Sequence, residues 1–135
     1  MIFVDANVPM YVVGNDGPLK SIASAALELA VAGGDRLVTD AEVLQEIIHR
    51  YVFINRRQAI EPCTKVLLDA VDNVLPIELE DVRRTSTIVR TSQLASRDAL
   101  HVAVMQRYGI DRILTFDRAF DGVPGIRRLA LPGEG

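Results

Sequence analysis

Short apolar runs alternate with longer stretches whose apolar residues recur at helical spacing, and this alternation predicts the order of elements along the chain. Ile2-Phe3-Val4 opens a buried strand over residues 2–5, a helix follows over 19–32 and stops at Gly33-Gly34, and residues 36–39 form a second strand. Helices are predicted from 41 to about 55 and from 58 to about 72, the latter with Pro62 near its start, before a third short strand at 74–77. A polar helix from 81 to about 92 then precedes an apolar helix from about 97 to 108, closed by Gly109; residues 112–115 are a fourth strand and 126–129 a short edge strand. The pattern assigns no element to residues 7–18. Strands separated by helices pair in parallel through right-handed crossovers, which makes this an α/β fold.

Composition narrows the picture. With 135 residues, 49% hydrophobic and 24% charged, the chain supports one well-buried core rather than two. We expect a single domain over residues 1–130 and a loose C-terminal tail over 131–135, Leu-Pro-Gly-Glu-Gly. There is no apolar run of membrane-spanning length, and the start Met1-Ile2-Phe3-Val4-Asp5 has neither a basic leader nor a cleavage site. The expectation is a cytoplasmic protein with no membrane partner. One cysteine, Cys63, and two histidines exclude an internal disulfide and a Cys/His zinc cluster; Cys63 reads as a small buried helix residue.

A formal net charge of −3 argues against binding nucleic acid through bulk charge. Residues 50–65 nevertheless hold Arg50, Arg56, Arg57 and Lys65 against Glu61 alone, a local basic segment suited to phosphate contact or, more plainly, to a solvated helix junction.

The candidate chemistry lies in four acids: Asp5, Glu46, Asp98 and Asp117. Asp5 and Asp117 each follow a predicted strand, at the ligand-binding edge of a parallel sheet. Glu46 lies well inside its helix, about 60° beyond the Val43 edge of the apolar arc at 100° per residue, where it either faces a half-buried cleft or pairs with Arg50 one turn on. Asp98 stands near the head of a helix that is apolar on nearly every face, with Ser96 as its expected N-cap. Ionised carboxylates in such apolar surroundings need a cation or hydrogen bonds, and hard oxygen ligands suit magnesium or manganese. By contrast, Thr39 and Glu42 fit a capping box, so Glu42 and Asp40 are assigned to helix initiation. His101 is expected to be a hydrogen-bonded core residue rather than a ligand. Asn7 either orients Asp5 or makes an Asx turn, and Asp121, before Gly122, reads as a turn residue.

Taken together, Val4-Asp5-Ala6-Asn7-Val8, the 37–47 segment ending in Glu46-Ile47, Ser96-Arg97-Asp98-Ala99-Leu100-His101 and the 113–120 segment around Asp117 resemble the PIN domain family, specifically the VapC-type toxins of bacterial toxin–antitoxin pairs. The likeness spans about residues 1–130. It implies a three-layer α/β/α fold with a parallel sheet of order 3-2-1-4-5. It also implies a divalent-metal-dependent endoribonuclease using Mg2+ or Mn2+, with Asp5 and Asp98 as central ligands and Glu46 and Asp117 flanking them. Asn7 and Thr115 are then outer orienting groups, and Thr115 or Asp121 assists Asp117. The implied partners are an RNA substrate, a cognate antitoxin and a second copy in a homodimer. The competing reading is a PIN-like module that binds RNA or protein without cleaving it. Other phosphoryl-transfer folds fit worse: a dehalogenase-type phosphatase wants a second acid where Asn7 stands, and no glycine-rich nucleotide loop is present.

Overall fold

β1 (Ile2–Val4) and β2 (Leu37–Asp40) are buried along their whole length, so both faces of the sheet are covered at its centre. The structure, a computed structural model, describes residues 1–134. Between these strands lie α1 (Asn7–Val12) and α2 (Pro18–Ala32). After β2 come α3 (Ala41–Phe53), a 3-10 turn (Arg57–Ala59), α4 (Ile60–Ala70) and β3 (Asn73–Leu75). The second half holds α5 (Leu79–Arg90), α6 (Ser96–Arg107), β4 (Arg112–Leu114), a second 3-10 turn (Arg118–Gly122) and β5 (Arg127–Arg128).

The strands form one parallel sheet of order β3-β2-β1-β4-β5, as expected. β1 is central: Phe3 sits opposite Val38 on one side and Ile113 on the other. α5 packs on α6, while α1 packs on α2 and α4, and α4 on α3. The core is aliphatic, with Phe3, Leu37, Ile47, Leu67, Met105, Ile113 and Phe120 among its largest fully buried side chains, and Cys63 is buried in α4.

Several local expectations are corrected. α1 was not foreseen. The capping box of Thr39 and Glu42 does not form: Thr39 Oγ1 instead donates to the Val4 carbonyl at 2.8 Å, tying β2 to β1, and Asp40 is the N-cap, its Oδ1 accepting from Val43 N at 2.9 Å. Ser96 is likewise not a cap, since Ala95 occupies that position without a side-chain bond, and Asp98 becomes the third helical residue. α3 stops near the expected point because Asn55 adopts φ +58°, with Arg56 N bonded back to the Tyr51 carbonyl at 2.7 Å. Residues 131–134, expected within a loose tail, are held: Leu131 is buried, and the Glu134 carboxylate accepts from Arg118, Arg128 and the Leu131 amide. Gly135 lies outside the described residues.

Candidate metal centre

Because β1 and β4 are neighbours, Asp5 and the Thr115–Asp117 segment leave the sheet side by side. The Asp5 amide itself bonds to the Leu114 carbonyl at 3.1 Å. The Asp5 side chain is buried and fixed at both oxygens: Ala6 N donates to Oδ1 at 2.8 Å and Thr115 Oγ1 donates to Oδ2 at 2.7 Å. Asn7 braces the same corner, its Nδ2 donating to Thr115 Oγ1 at 3.1 Å and its Oδ1 accepting from Phe116 N at 3.1 Å. Asp117 receives Ala119 N at Oδ1 (2.9 Å), which caps the second 3-10 turn and leaves Oδ2 available.

Asp98 on α6 and Glu46 on α3 complete the set. All four acids line one cleft of about 340 Å³, together with Asn7, Tyr51, Arg50 and Arg56. Burial raises the Asp5 carboxyl above its ordinary range, against the opposing influence of His101 and the Thr115 hydrogen bond. Burial, reinforced by the charges of Asp5 and Asp117, pushes Asp98 up to about 7. Proton uptake is how crowded carboxylates relieve repulsion without a cation.

His101 is the residue whose place the sequence did not reveal. It is fully buried, as expected of a core histidine, and its ring lies 5.3 Å from that of Phe3. Its Nδ1 is 2.8 Å from Asp40 Oδ2 and its Nε2 is 3.4 Å from Glu46 Oε1. Burial disfavours the charged ring, but bonding to Asp40 and Glu46 outweighs it and raises its pKa to about 10. Asp5, Glu46 and His101 each present one atom within 4.8 Å of the others. The available signal was the three-residue step from Asp98, which puts both side chains on one side of α6.

The remaining expected residues divide. Glu46 does not pair with Arg50 but turns to His101; Arg50 and Arg56 line the cleft wall. Arg57 is exposed in the first 3-10 turn, and Lys65 is bound to Asp69 at 2.8 Å on the open face of α4. Asp121 accepts from Arg128 Nε at 2.8 Å, whereas Thr115 Oγ1 accepts from the Asp117 amide at 3.0 Å.

The donor chemistry fits a divalent cation. Among the described residues no lysine or arginine pairs with Asp5, Glu46, Asp98 or Asp117, whereas Asp35, Asp81, Asp121 and Glu134 each have an arginine. Hard carboxylate oxygens without a lysine or arginine partner, converging on one cleft, have the donor chemistry that magnesium and manganese prefer.

The PIN domain family model matches residues 2–126, and the chain belongs to that family. Within the family it is a homologue of the VapC ribonucleases. It is 55% identical over 131 residues to Ribonuclease VapC13 of Mycobacterium tuberculosis, covering 96% of this chain and 100% of that protein. To Ribonuclease VapC23 of the same species it is 43% identical over 118 residues, 87% of this chain and 93% of the relative. Among solved structures, the sarcin-ricin loop cleaving toxin VapC20 of M. tuberculosis superposes with a TM-score of 0.73 at 20% identity, covering 94% and 99% of the two chains. VapBC2 from Rickettsia felis, bound to a DNA fragment from its promoter, gives 0.74 at 13% identity over 97% and 99%.

Proposed function

We propose that this chain is a divalent-metal-dependent endoribonuclease and the toxin of a type II toxin–antitoxin pair, hydrolysing RNA phosphodiesters at the Asp5, Glu46, Asp98 and Asp117 cleft. The observation that carries this reading is the convergence of four acids from four separate segments on one cleft with no lysine or arginine to neutralise them.

Asp5 and Asp98 are the central ligands for Mg2+ or Mn2+, with Glu46 and Asp117 flanking. When bound, the cation lowers the pKa of a water and offsets charge on the scissile phosphate. Asn7 and Thr115 keep Asp5 aimed at the cleft, and the capped Asp117 has one oxygen free for the same space. Arg50 and Arg56, on the cleft wall, offer cationic partners to the phosphates beside the cleaved bond, with Arg57 and Lys65 as further phosphate contacts outside the cleft lining. An RNA substrate places the action in the cytoplasm. The VapC names of the relatives and the toxin–antitoxin complexes among the structural neighbours support an antitoxin partner that occludes the cleft, and a homodimer is the assembly expected of the family.

The test is incubation of purified protein with structured RNAs in magnesium or manganese, with and without excess chelator. Cleavage is expected only with free metal; cleavage undiminished by chelator overturns the mechanism, and binding without cleavage in either metal favours a non-hydrolytic module.

A further inference from the structure

Asp40 and His101 have no part in the four-acid reading, yet they form the only buried ionic pair that reaches it among the described residues. Asp40 ends β2 and does two things: Oδ1 caps α3 through Val43 N, and Oδ2 faces His101 Nδ1 at 2.8 Å. Both side chains are fully buried. With Nδ1 committed to Asp40, the ring is fixed in rotation, and its other nitrogen points at Glu46 Oε1 from 3.4 Å. An ionised carboxylate only accepts, so the arrangement suits a ring that donates from both nitrogens.

We infer that His101 is a positioning residue: anchored by Asp40, it holds the Glu46 carboxylate against Asp5 and fixes the distance between α3 and α6, the helices that carry Glu46 and Asp98. The inference rests on the four-acid site proposed above. Three features of the fold support it. Glu46 has no other polar side-chain partner among the described residues, and at 26% side-chain exposure it would otherwise be free to swing toward solvent. His101 shares α6 with Asp98, one turn away, so the same helix supplies an acid and the brace for another. A simple core role would not require both nitrogens to face acids, since a neutral ring needs one acceptor partner and one donor partner and burial favours the neutral form. Outer partners of this kind orient a metal's ligands, and their loss costs roughly 10–100-fold in metal affinity or activity.

The test uses the full chain with His101→Asn, which keeps a short donor toward Asp40 but cannot reach Glu46, His101→Gln, which reaches toward Glu46, and Glu46→Gln alone and combined with His101→Asn. Mn2+ affinity, read from the electron paramagnetic resonance of free Mn2+, needs no catalysis, and RNA cleavage gives kcat and KM. His101→Asn is expected to weaken Mn2+ binding about tenfold and to lower kcat by a similar factor, with KM nearly unchanged. His101→Gln should recover part of both, and the double variant should be no worse than Glu46→Gln alone. Parental affinity and kcat in His101→Asn, or losses that add in the double variant, overturn the inference.

A parent protein that neither binds Mn2+ nor cleaves RNA shows instead that the underlying site reading has failed. Should the buried substitutions unfold the chain, 15N NMR of the His101 ring in the parent decides. Mg2+ should move the Nε2 resonance, and that movement should vanish in Glu46→Gln; an Nε2 signal indifferent to Mg2+, or shifting equally in both proteins, rejects the coupling.

Discussion

Thr115 Oγ1 donates to Asp5 Oδ2 at 2.7 Å, a hydrogen bond between residues 110 apart in sequence that closes the corner where β1 and β4 end. The hydroxyl has one proton and gives it to Asp5, while its oxygen accepts from Asn7 Nδ2 and Asp117 N. Two of the proposed ligands are thus referenced to one buried oxygen.

Thr115→Val keeps the volume and removes that oxygen. With Asp5 and the Asp117 amide both losing a partner in a buried setting, the variant should lose roughly 1–3 kcal/mol of stability, read by urea denaturation, and most of its metal-dependent cleavage. Unchanged activity in a folded Thr115→Val protein would show that Asp5 is oriented by its other contacts.

The metal-free protein should lose stability as pH rises. Asp98 titrates near 3.8 in the unfolded chain and near 7 in the folded one, so between those values the native state holds more protons and its advantage falls with increasing pH. His101, raised from 6.5 to about 10, acts in the same direction: its proton stabilises the fold fully below 6.5, and that contribution disappears as pH climbs through 10. Melting in chelator should therefore occur at lower temperature near pH ~7.5 than near ~5.5, and magnesium should raise the melting point more at the higher pH. A metal-free melting point that climbs over this interval contradicts the pKa assignments.

Asp98→Asn removes a carboxyl that burial and the charges of Asp5 and Asp117 hold above its ordinary range. Metal affinity and cleavage should fall together, while the chelated variant melts no lower than the chelated parent near neutral pH. Added metal should shift its melting point much less than the parent's. Equal shifts in calorimetry would reduce Asp98 to a favourable charge in the first turn of α6.

Glu46 and Glu42, one turn apart on α3, should behave oppositely. Glu46→Gln leaves the fold intact and abolishes cleavage. Glu42 instead meets Arg97 Nε at 3.1 Å in a partly exposed pair, so Glu42→Gln should cost at most about 1 kcal/mol and leave turnover close to parental. Loss of activity in Glu42→Gln with retention in Glu46→Gln would reverse the roles of the two residues.

The sheet was legible because buried parallel strands show as apolar runs, three residues long in Ile2-Phe3-Val4 and two in Ile113-Leu114. The short α1 was not, since its six residues are too few to show helical periodicity and contain Pro9. The four acids stood out because carboxylates in apolar surroundings have few purely structural explanations. Asp40 does initiate α3 as expected, but Thr39 was misjudged and the second role of Asp40 missed for a related reason: a Thr-x-x-Glu pattern reports on local capping, whereas Thr39 is committed to Val4 and the other Asp40 oxygen to His101, tertiary partners that local spacing does not encode. The same blindness hid the link between His101 and Glu46, which exists only once α3 and α6 are brought together. Residues 131–134 looked loose from composition, but Glu134 meets Arg128 and Arg118 across folded structure.

The strand order also sets a schedule. β1 is made well before one of its two neighbours, β4, which begins only at Arg112. Until then Asp5 lacks Thr115, Asp98 lacks Asp117, and the edge of β1 that β4 will occupy has no partner strand. The cleft therefore cannot assemble on a partly made chain. Whatever this site does, it begins doing it only after β4 and Asp117 have been made, and truncated products that end before β4 are born without it.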